Sequence, residues 1–165
     1  MMTVFRESLD TDMELLEEEL LDETKEEAKK ILFVCTGNTC RSPMAEVVFN
    51  FDYYDSGYIA ESAGIFADGS PMSDNAVTAL EDDGYRVRER HISRSLTDEL
   101  VKSSDIIVGI SSSHAMQIIM NYPEAAGKVY AMPFDITDPY GGGIEIYKAC
   151  LSDIKKALAI VAESL

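Results

Sequence analysis

Residues 31–43 decide the fold of this chain, and they read ILFVCTGNTCRSP. The apolar run Ile31 to Val34 predicts a short strand that is buried on both faces. Pro43, followed by apolar residues at helical spacing, predicts the start of a helix. The mainly polar residues Cys35 to Ser42 are therefore expected to form a loop between the carboxyl end of a strand and the N-terminus of a helix.

The chain beyond this loop alternates short apolar runs with helical periodicity, which predicts a parallel sheet flanked by helices. Further strands are predicted at 58–60, 106–108 and 128–132. Helices are predicted after Ser73 and Thr97, at 112–121, and from Ile144 to the end of the chain. The expected fold class is α/β, with a four-stranded parallel sheet and helices on both faces.

The first part of the chain differs from the rest in charge. Residues 1–30 carry eleven acidic and four basic side chains, whereas the whole chain of 165 residues has a net charge of -16. Leu9, Met13, Leu16 and Leu20 recur at helical spacing and predict an amphipathic helix. We therefore divide the chain into an acidic, helical extension, 1–30, and one domain, 31–165. The extension either packs on the domain or docks a protein partner or a second copy.

Composition excludes several classes of partner and site. The acidic net charge disfavours nucleic acid and anionic membranes as partners, and no apolar stretch is long enough to cross a bilayer. Cys35, Cys40 and Cys150 are too few for a disulfide framework, which indicates reduced thiols in a cytoplasm. We expect no metal and no cofactor, ordinary polar roles for His91 and His114, and a half-buried Cys150 on the last helix.

The loop has the residues that a phosphoryl-transfer nucleophile needs. Thiols at a helix N-terminus beside an arginine have lowered pKa values, so Cys35 is expected to react as a thiolate. Gly37 and Asn38 tolerate left-handed backbone angles, which let successive N–H groups point inward around an anion. Arg41 can bind two phosphate oxygens, and Ser42 can donate its hydroxyl proton to the sulfur. An inert core cysteine is the alternative, but such cysteines have apolar surroundings.

A second loop offers an acid for the leaving group. Asp138 is followed by Pro139, which stiffens the loop, and by Tyr140, which supplies an aromatic wall. Asp138 can therefore act as a general acid, although an aspartate in such a turn can also cap a helix. Asp135 is the competing acid, and it lacks the proline and the aromatic residue.

These motifs resemble the low-molecular-weight protein tyrosine phosphatases, in particular their bacterial protein-arginine phosphatase branch. The resemblance is carried by residues 34–46, VCTGNTCRSPMAE, by 61–65, ESAGI, and by 138–141, DPYG. It extends from about Ile31 to the C-terminus and leaves out the acidic extension. It implies a flavodoxin-like strand order with the site at the carboxyl edge of the sheet.

The resemblance also implies roles for individual residues. Cys35 would be the nucleophile of a two-step hydrolysis through a phospho-cysteine, Arg41 would bind phosphate, and Asp138 would be the general acid that later activates water. The residues expected to bind the phosphate are Thr36, Gly37, Asn38, Thr39, Cys40, Arg41 and Ser42.

The substrate is expected to be a phosphorylated protein, and Thr39 indicates which kind. Tyrosine-directed relatives typically carry a branched aliphatic residue at this position, whereas the arginine-directed branch resembles this chain. The hydroxyl of Thr39 can accept a hydrogen bond from a guanidinium N–H, whereas the methyl groups of an aliphatic residue would pack on a phenyl ring. Thr39 is therefore assigned to substrate specificity, together with Tyr140, the aromatic wall of the site. We expect phosphoarginine, with phosphotyrosine as the alternative, because one contact discriminates by only about 1–3 kcal/mol.

Two other functions stay open. An arsenate reductase of this fold would relay electrons through two further cysteines, yet Cys150 is the one cysteine outside the loop. A reader of phosphorylated proteins would lack a catalytic residue, whereas Cys35, Arg41 and Asp138 are all present. Cys40 either forms a reversible disulfide with Cys35 or is a small core residue.

Overall fold

The computed structural model describes residues 28–87 and 89–165, together with Leu16. Apart from that residue, the helix predicted in the acidic extension lies outside the described residues. The division of the chain at residue 30 therefore stays a prediction.

The described residues form an α/β fold. In chain order its elements are β1 (Lys29–Cys35), α1 (Arg41–Asp52), β2 (Tyr58–Gly64), α2 (Asp74–Asp82), α3 (Asp98–Ser103), β3 (Ile106–Gly109), α4 (Ser112–Asn121), a 3-10 helix (Pro123–Lys128), β4 (Val129–Ala131) and α5 (Ile144–Glu163). The strands pair in parallel in the order β2-β1-β3-β4. This is the flavodoxin-like order, and it confirms the predicted four-stranded parallel sheet.

Strand β1 lies in the middle of the sheet and serves two hydrophobic cores. Ile31 and Phe33 point into the core formed with α1, α2 and α5. Leu32 and Val34 point into the core formed with α3 and α4 on the opposite face. All four side chains are 0% exposed, which explains why the strand is continuously apolar instead of alternating.

The structure corrects several element boundaries. Helix α1 begins at Arg41, two residues before the predicted start at Pro43, and β2 extends to Gly64 instead of ending at residue 60. Strand β4 is shorter than predicted, because Lys128 ends the preceding 3-10 helix. Ser73 is the N-cap residue of α2, but its side chain makes no capping hydrogen bond.

No helix within residues 28–87 and 89–165 combines the length and the apolar character that a membrane crossing requires.

The end of β2 is in direct contact with the loop that follows β1. The amides of Ile65 and Phe66 donate to the carbonyl oxygens of Cys35 and Thr36, each at 2.9 Å. A Cβ built on Gly64 would lie 2.6 Å from the carbonyl oxygen of Thr36. Only glycine therefore lets the strand approach the loop this closely.

We expect Gly64→Ala to destabilise the protein by about 1–3 kcal/mol, because the added methyl group displaces loop backbone that cannot rotate away. Urea unfolding measures the free energy of unfolding. Gly127→Ala is the control, because a Cβ there meets nothing within 4 Å. Equal unfolding free energies of the two variants would contradict this account of the contact.

Candidate active site

The sulfur of Cys35 is buried and has two hydrogen-bond partners. Its Sγ lies 2.9 Å from the hydroxyl oxygen of Ser42 and accepts from the backbone N–H of Asn38 at 3.3 Å. The hydroxyl of Ser42 in turn accepts from the amide Nδ2 of Asn38 at 2.9 Å. The Ser42 hydroxyl also lies 3.4 Å from the carbonyl oxygen of Ala63, so the sulfur and this carbonyl are the two acceptors within reach of its single proton.

Asn38 gives the loop its shape. Its φ is 58°, whereas Gly37, which was also expected to be left-handed, has no positive φ. Besides Ser42, its Nδ2 donates to the hydroxyl of Ser62 at 3.0 Å, and its Oδ1 accepts from the backbone N–H of Arg94 at 3.0 Å. The side chain is 0% exposed. Asn38 therefore connects the loop to β2 and to the segment around residue 94.

Arg41 is folded back against the second loop. Its Nη1 donates to the carbonyl oxygen of Ile136 at 3.1 Å, and its Nη2 lies 3.6 Å from Oδ2 of Asp138. The Arg41 side chain is 9% exposed and that of Asp138 is 54% exposed. The structure thus brings the predicted phosphate-binding cation and the predicted acid together, although 97 positions separate them along the chain.

The two candidate acids have different surroundings. Oδ1 of Asp138 accepts from the backbone N–H of Tyr140 at 3.1 Å, and the carboxylate is open to solvent. Asp135 accepts from the backbone N–H of Ser112 at 2.8 Å and from its hydroxyl at 3.3 Å, at the start of α4. Asp135 therefore stabilises a helix N-terminus, while Asp138 faces the site.

A cleft of about 730 Å³ opens above the loop. Four parts of the chain line it: Cys35–Arg41, the second loop with Asp138 and Tyr140, Tyr147 of α5, and a wall from Phe66 after β2 to Asn75 in the first turn of α2. Tyr140 is 81% exposed at the mouth. Ser42, which was expected among the phosphate-binding residues, does not line the cleft and is 0% exposed, so its hydroxyl reaches the sulfur from behind.

Cys40 belongs to the loop and lines the cleft, whereas Cys150 lies in the core beneath the loop. Cys40 Sγ is 3.4 Å from Oη of Tyr147 and 3.6 Å from the hydroxyl oxygen of Thr39, and every cysteine of the chain is buried and free. Burial raises the pKa of Cys150 to about 12, and burial together with the contact to Cys40 raises the pKa of Tyr147 to about 12. The prediction of a half-buried Cys150 is wrong, because the residue is 5% exposed.

A model of the family described as low molecular weight phosphotyrosine protein phosphatase matches residues 30–165. The chain belongs to this family. It is 35% identical, over 144 residues, to a protein-arginine-phosphatase of Geobacillus stearothermophilus, covering 82% of this chain and 95% of the relative. The predicted resemblance is thereby confirmed, and the chain is a protein phosphatase.

Solved structures of family members agree with the fold. The low molecular weight protein tyrosine phosphatase from T. tengcongensis is 36% identical with a TM-score of 0.78, over 84% of this chain and 100% of that chain. A YwlE arginine phosphatase mutant with a phosphorylated active-site serine is 34% identical with a TM-score of 0.75, over 82% of this chain and 95% of that chain. These two structures, one named a tyrosine phosphatase and the other an arginine phosphatase, are thus 36% and 34% identical to this chain.

Two histidines support the loop of this phosphatase from behind. Nδ1 of His114 accepts from the backbone N–H of Ser111 at 3.2 Å, so Nε2 carries the proton and donates to the hydroxyl of Thr36 at 2.9 Å. Nε2 of His91 donates to Oδ1 of Asn38 at 2.8 Å and to its carbonyl oxygen at 3.2 Å. The prediction that both are ordinary polar residues is wrong. Within the described residues neither belongs to a metal-ligand cluster.

Burial keeps both histidines neutral. It lowers the pKa of His114 to about 4, and the nearby charge of Arg41 acts in the same direction, while Asp138 and Asp135 oppose it. Burial likewise lowers the pKa of His91. Neutral imidazoles add no charge behind the loop, so Arg41 is the one cationic side chain among the described residues that line the cleft.

We expect the free energy of unfolding to fall as the pH is lowered from 6.5 to 4. The unfolded chain binds a proton at His114 in this window and the native chain does not, so lowering the pH favours the unfolded chain. His114→Gln keeps an amide donor but cannot titrate, so the fall should be smaller in this variant. Urea unfolding at several pH values checks this, and His91→Gln should also make the fall smaller, because burial lowers the pKa of His91 as well. An unchanged pH dependence in His114→Gln would refute the lowered pKa.

Proposed function

We propose that this phosphatase hydrolyses phosphorylated arginine side chains of proteins through a phospho-cysteine on Cys35. The observation that carries the proposal is the buried Cys35 sulfur, which has Ser42 and a backbone N–H as donors beneath a cleft whose wall contains Thr39. The catalytic roles that follow rest on this geometry and on membership of the family.

In the first step the Cys35 thiolate attacks phosphorus, and the bond to the leaving group breaks. Inward backbone N–H groups of residues 36–41 and the Arg41 guanidinium hold the phosphoryl oxygens, and this stabilisation is greatest as charge develops in the transition state. Asp138 donates a proton to the leaving nitrogen of phosphoarginine or the leaving oxygen of phosphotyrosine. The products are a phospho-cysteine and the released side chain, which is the arginine guanidinium from phosphoarginine or the neutral phenol from phosphotyrosine.

In the second step water attacks the phospho-cysteine. Asp138, now a carboxylate, accepts a proton from the water, and the Cys35 sulfur leaves as a thiolate. The Ser42 hydroxyl donates to that sulfur at 2.9 Å and stabilises its negative charge. The enzyme returns to its starting protonation state with inorganic phosphate as product.

Asp138→Asn should lower kcat by about 10²- to 10⁴-fold, because the leaving group then departs without a proton. Cys35→Ser should abolish turnover. Steady-state kinetics on a phosphorylated peptide measures both effects. Asp135→Asn is the matched control, since this carboxylate lies at α4 and does not line the cleft. An equal loss of kcat in Asp135→Asn, with its fold intact, would reassign the acid.

The choice of phosphoarginine rests on the similarity to protein-arginine-phosphatases and on Thr39, since relatives named tyrosine phosphatases reach a similar identity. Thr39 lines the cleft, and its hydroxyl can accept from a guanidinium N–H. A phenyl ring offers that hydroxyl no partner. Phosphotyrosine is the second candidate, since its phosphate can bind to the same loop, residues 35–42.

Thr39→Ile should shift the ratio of kcat/KM values from phosphoarginine toward phosphotyrosine by about 5- to 150-fold, which corresponds to one contact of about 1–3 kcal/mol. Parallel turnover of two peptides that differ only in the phosphorylated residue measures this ratio. Thr39→Ser keeps the hydroxyl and should keep the preference. An unchanged ratio of the two kcat/KM values in Thr39→Ile would contradict the assignment of phosphoarginine as the substrate. A wild-type enzyme without activity on phosphoarginine would contradict it as well.

The two other functions are disfavoured by particular residues. An arsenate reductase passes electrons through accessible cysteines outside the phosphate-binding loop. Cys150 is the one candidate, and it is 5% exposed in the core. A binding module that recognises phosphorylated proteins without cleaving them would lack a catalytic residue. In this chain Cys35, Arg41 and Asp138 all line one cleft.

Three further expectations belong to the proposal. A cytoplasmic location is supported by the free thiols of all three cysteines. Cys40 would be the redox partner of Cys35, because a reversible disulfide protects a reactive thiolate from irreversible oxidation. The acidic extension, residues 1–30, would dock a protein partner or a second copy through its apolar positions.

A further inference from the structure

Charge in the cleft changes sign between its floor and its mouth. At the floor lies Arg41, whose side chain is 9% exposed and which is the only cation among the described residues that line the cleft. Toward the mouth lies the exposed carboxylate of Asp68. The floor therefore attracts an anion, whereas the mouth attracts a cation.

Asp68 is held in place by its own loop. Its Oδ1 accepts from the backbone N–H of Ser70 at 3.0 Å. Hydrogen bonds from the Ser70 hydroxyl and N–H lower the pKa of Asp68, so the carboxylate is ionised at neutral pH. No salt bridge joins Asp68 to another described residue. Its charge is available to a substrate.

We propose that Asp68 forms a cation subsite at the mouth of the cleft, where it binds a guanidinium or ammonium group that the substrate carries behind its phosphate. A phosphorylated arginine has this order of charges, with the phosphate at the tip and the guanidinium behind it. The net charge of -16 acts in the same direction, because it repels purely anionic substrates and favours basic ones. The proposal deepens the proposed function and rests on its assignment of the cleft.

The same cation can come from two places in a substrate. It is either the guanidinium of the phosphorylated arginine itself or the side chain of a neighbouring lysine or arginine. Both give an ion pair at an exposed site, which is weak and is screened by salt. The expected contribution to kcat/KM is therefore about 2- to 5-fold at low ionic strength.

Asp68→Asn removes the charge and keeps the oxygen that accepts from Ser70, so the loop is preserved. Asp55→Asn is the matched control, since Asp55 is an exposed acid between α1 and β2 that does not line the cleft. Three peptides are compared: one with phosphoarginine, one with phosphotyrosine flanked by arginine, and one with phosphotyrosine flanked by glutamine. Each kcat/KM is measured in about 20 mM and about 500 mM NaCl, which bracket weak and strong screening.

We expect Asp68→Asn to lower kcat/KM about 2- to 5-fold at low salt for the phosphoarginine peptide, the arginine-flanked peptide or both, and to leave the glutamine-flanked peptide unchanged. The peptide that responds identifies the source of the cation. The loss should vanish at high salt, and Asp55→Asn should behave as the wild type.

A uniform effect on all three peptides, no effect on either basic peptide, or an equal effect of Asp55→Asn would overturn the subsite. Failure of the proposed function looks different. In that case the wild type does not hydrolyse phosphoarginine, while Asp68→Asn still weakens turnover of the arginine-flanked phosphotyrosine peptide.

Discussion

The active site depends on the hydrogen bonds of one buried amide, that of Asn38. A left-handed backbone costs an ordinary residue roughly 1–2 kcal/mol, and the φ of Asn38 is 58°. Its side chain makes four hydrogen bonds, to Ser42, Ser62, His91 and the backbone of Arg94. Each contributes about 0.5–1.5 kcal/mol, so together they exceed the backbone cost and hold the loop around its anion site.

The same amide links the shape of the loop to its chemistry. Asn38 donates to the Ser42 hydroxyl, and that hydroxyl is in turn in hydrogen-bond contact with the Cys35 sulfur at 2.9 Å. Arg41 follows at the start of α1 and turns toward Asp138. Cys35, Arg41 and Asp138, the proposed nucleophile, cation and acid, are thus positioned by contacts between segments that the parallel sheet brings together at its carboxyl edge.

The sequence predicted the parts of the site that consist of residues adjacent in the chain. The buried strand β1, the loop from Cys35 to Ser42 and the helix after it follow from local patterns, and the parallel sheet follows from their repetition. The supporting residues could not be found this way, because His91 and His114 reach the loop across 53 and 78 positions. The Ser111-x-x-His114 spacing at a predicted helix start was the one local signal for His114.

The central claim is that Cys35 carries the phosphoryl group during turnover. It is tested most directly by quenching the enzyme in acid during turnover of a phosphorylated peptide and mapping the adduct by mass spectrometry. Fragmentation must separate Cys35 from Cys40, which lie close together in the sequence. The account predicts a phosphoryl adduct on Cys35 that forms and decays with turnover. Turnover without an adduct on Cys35, or with the adduct on another residue, would contradict it.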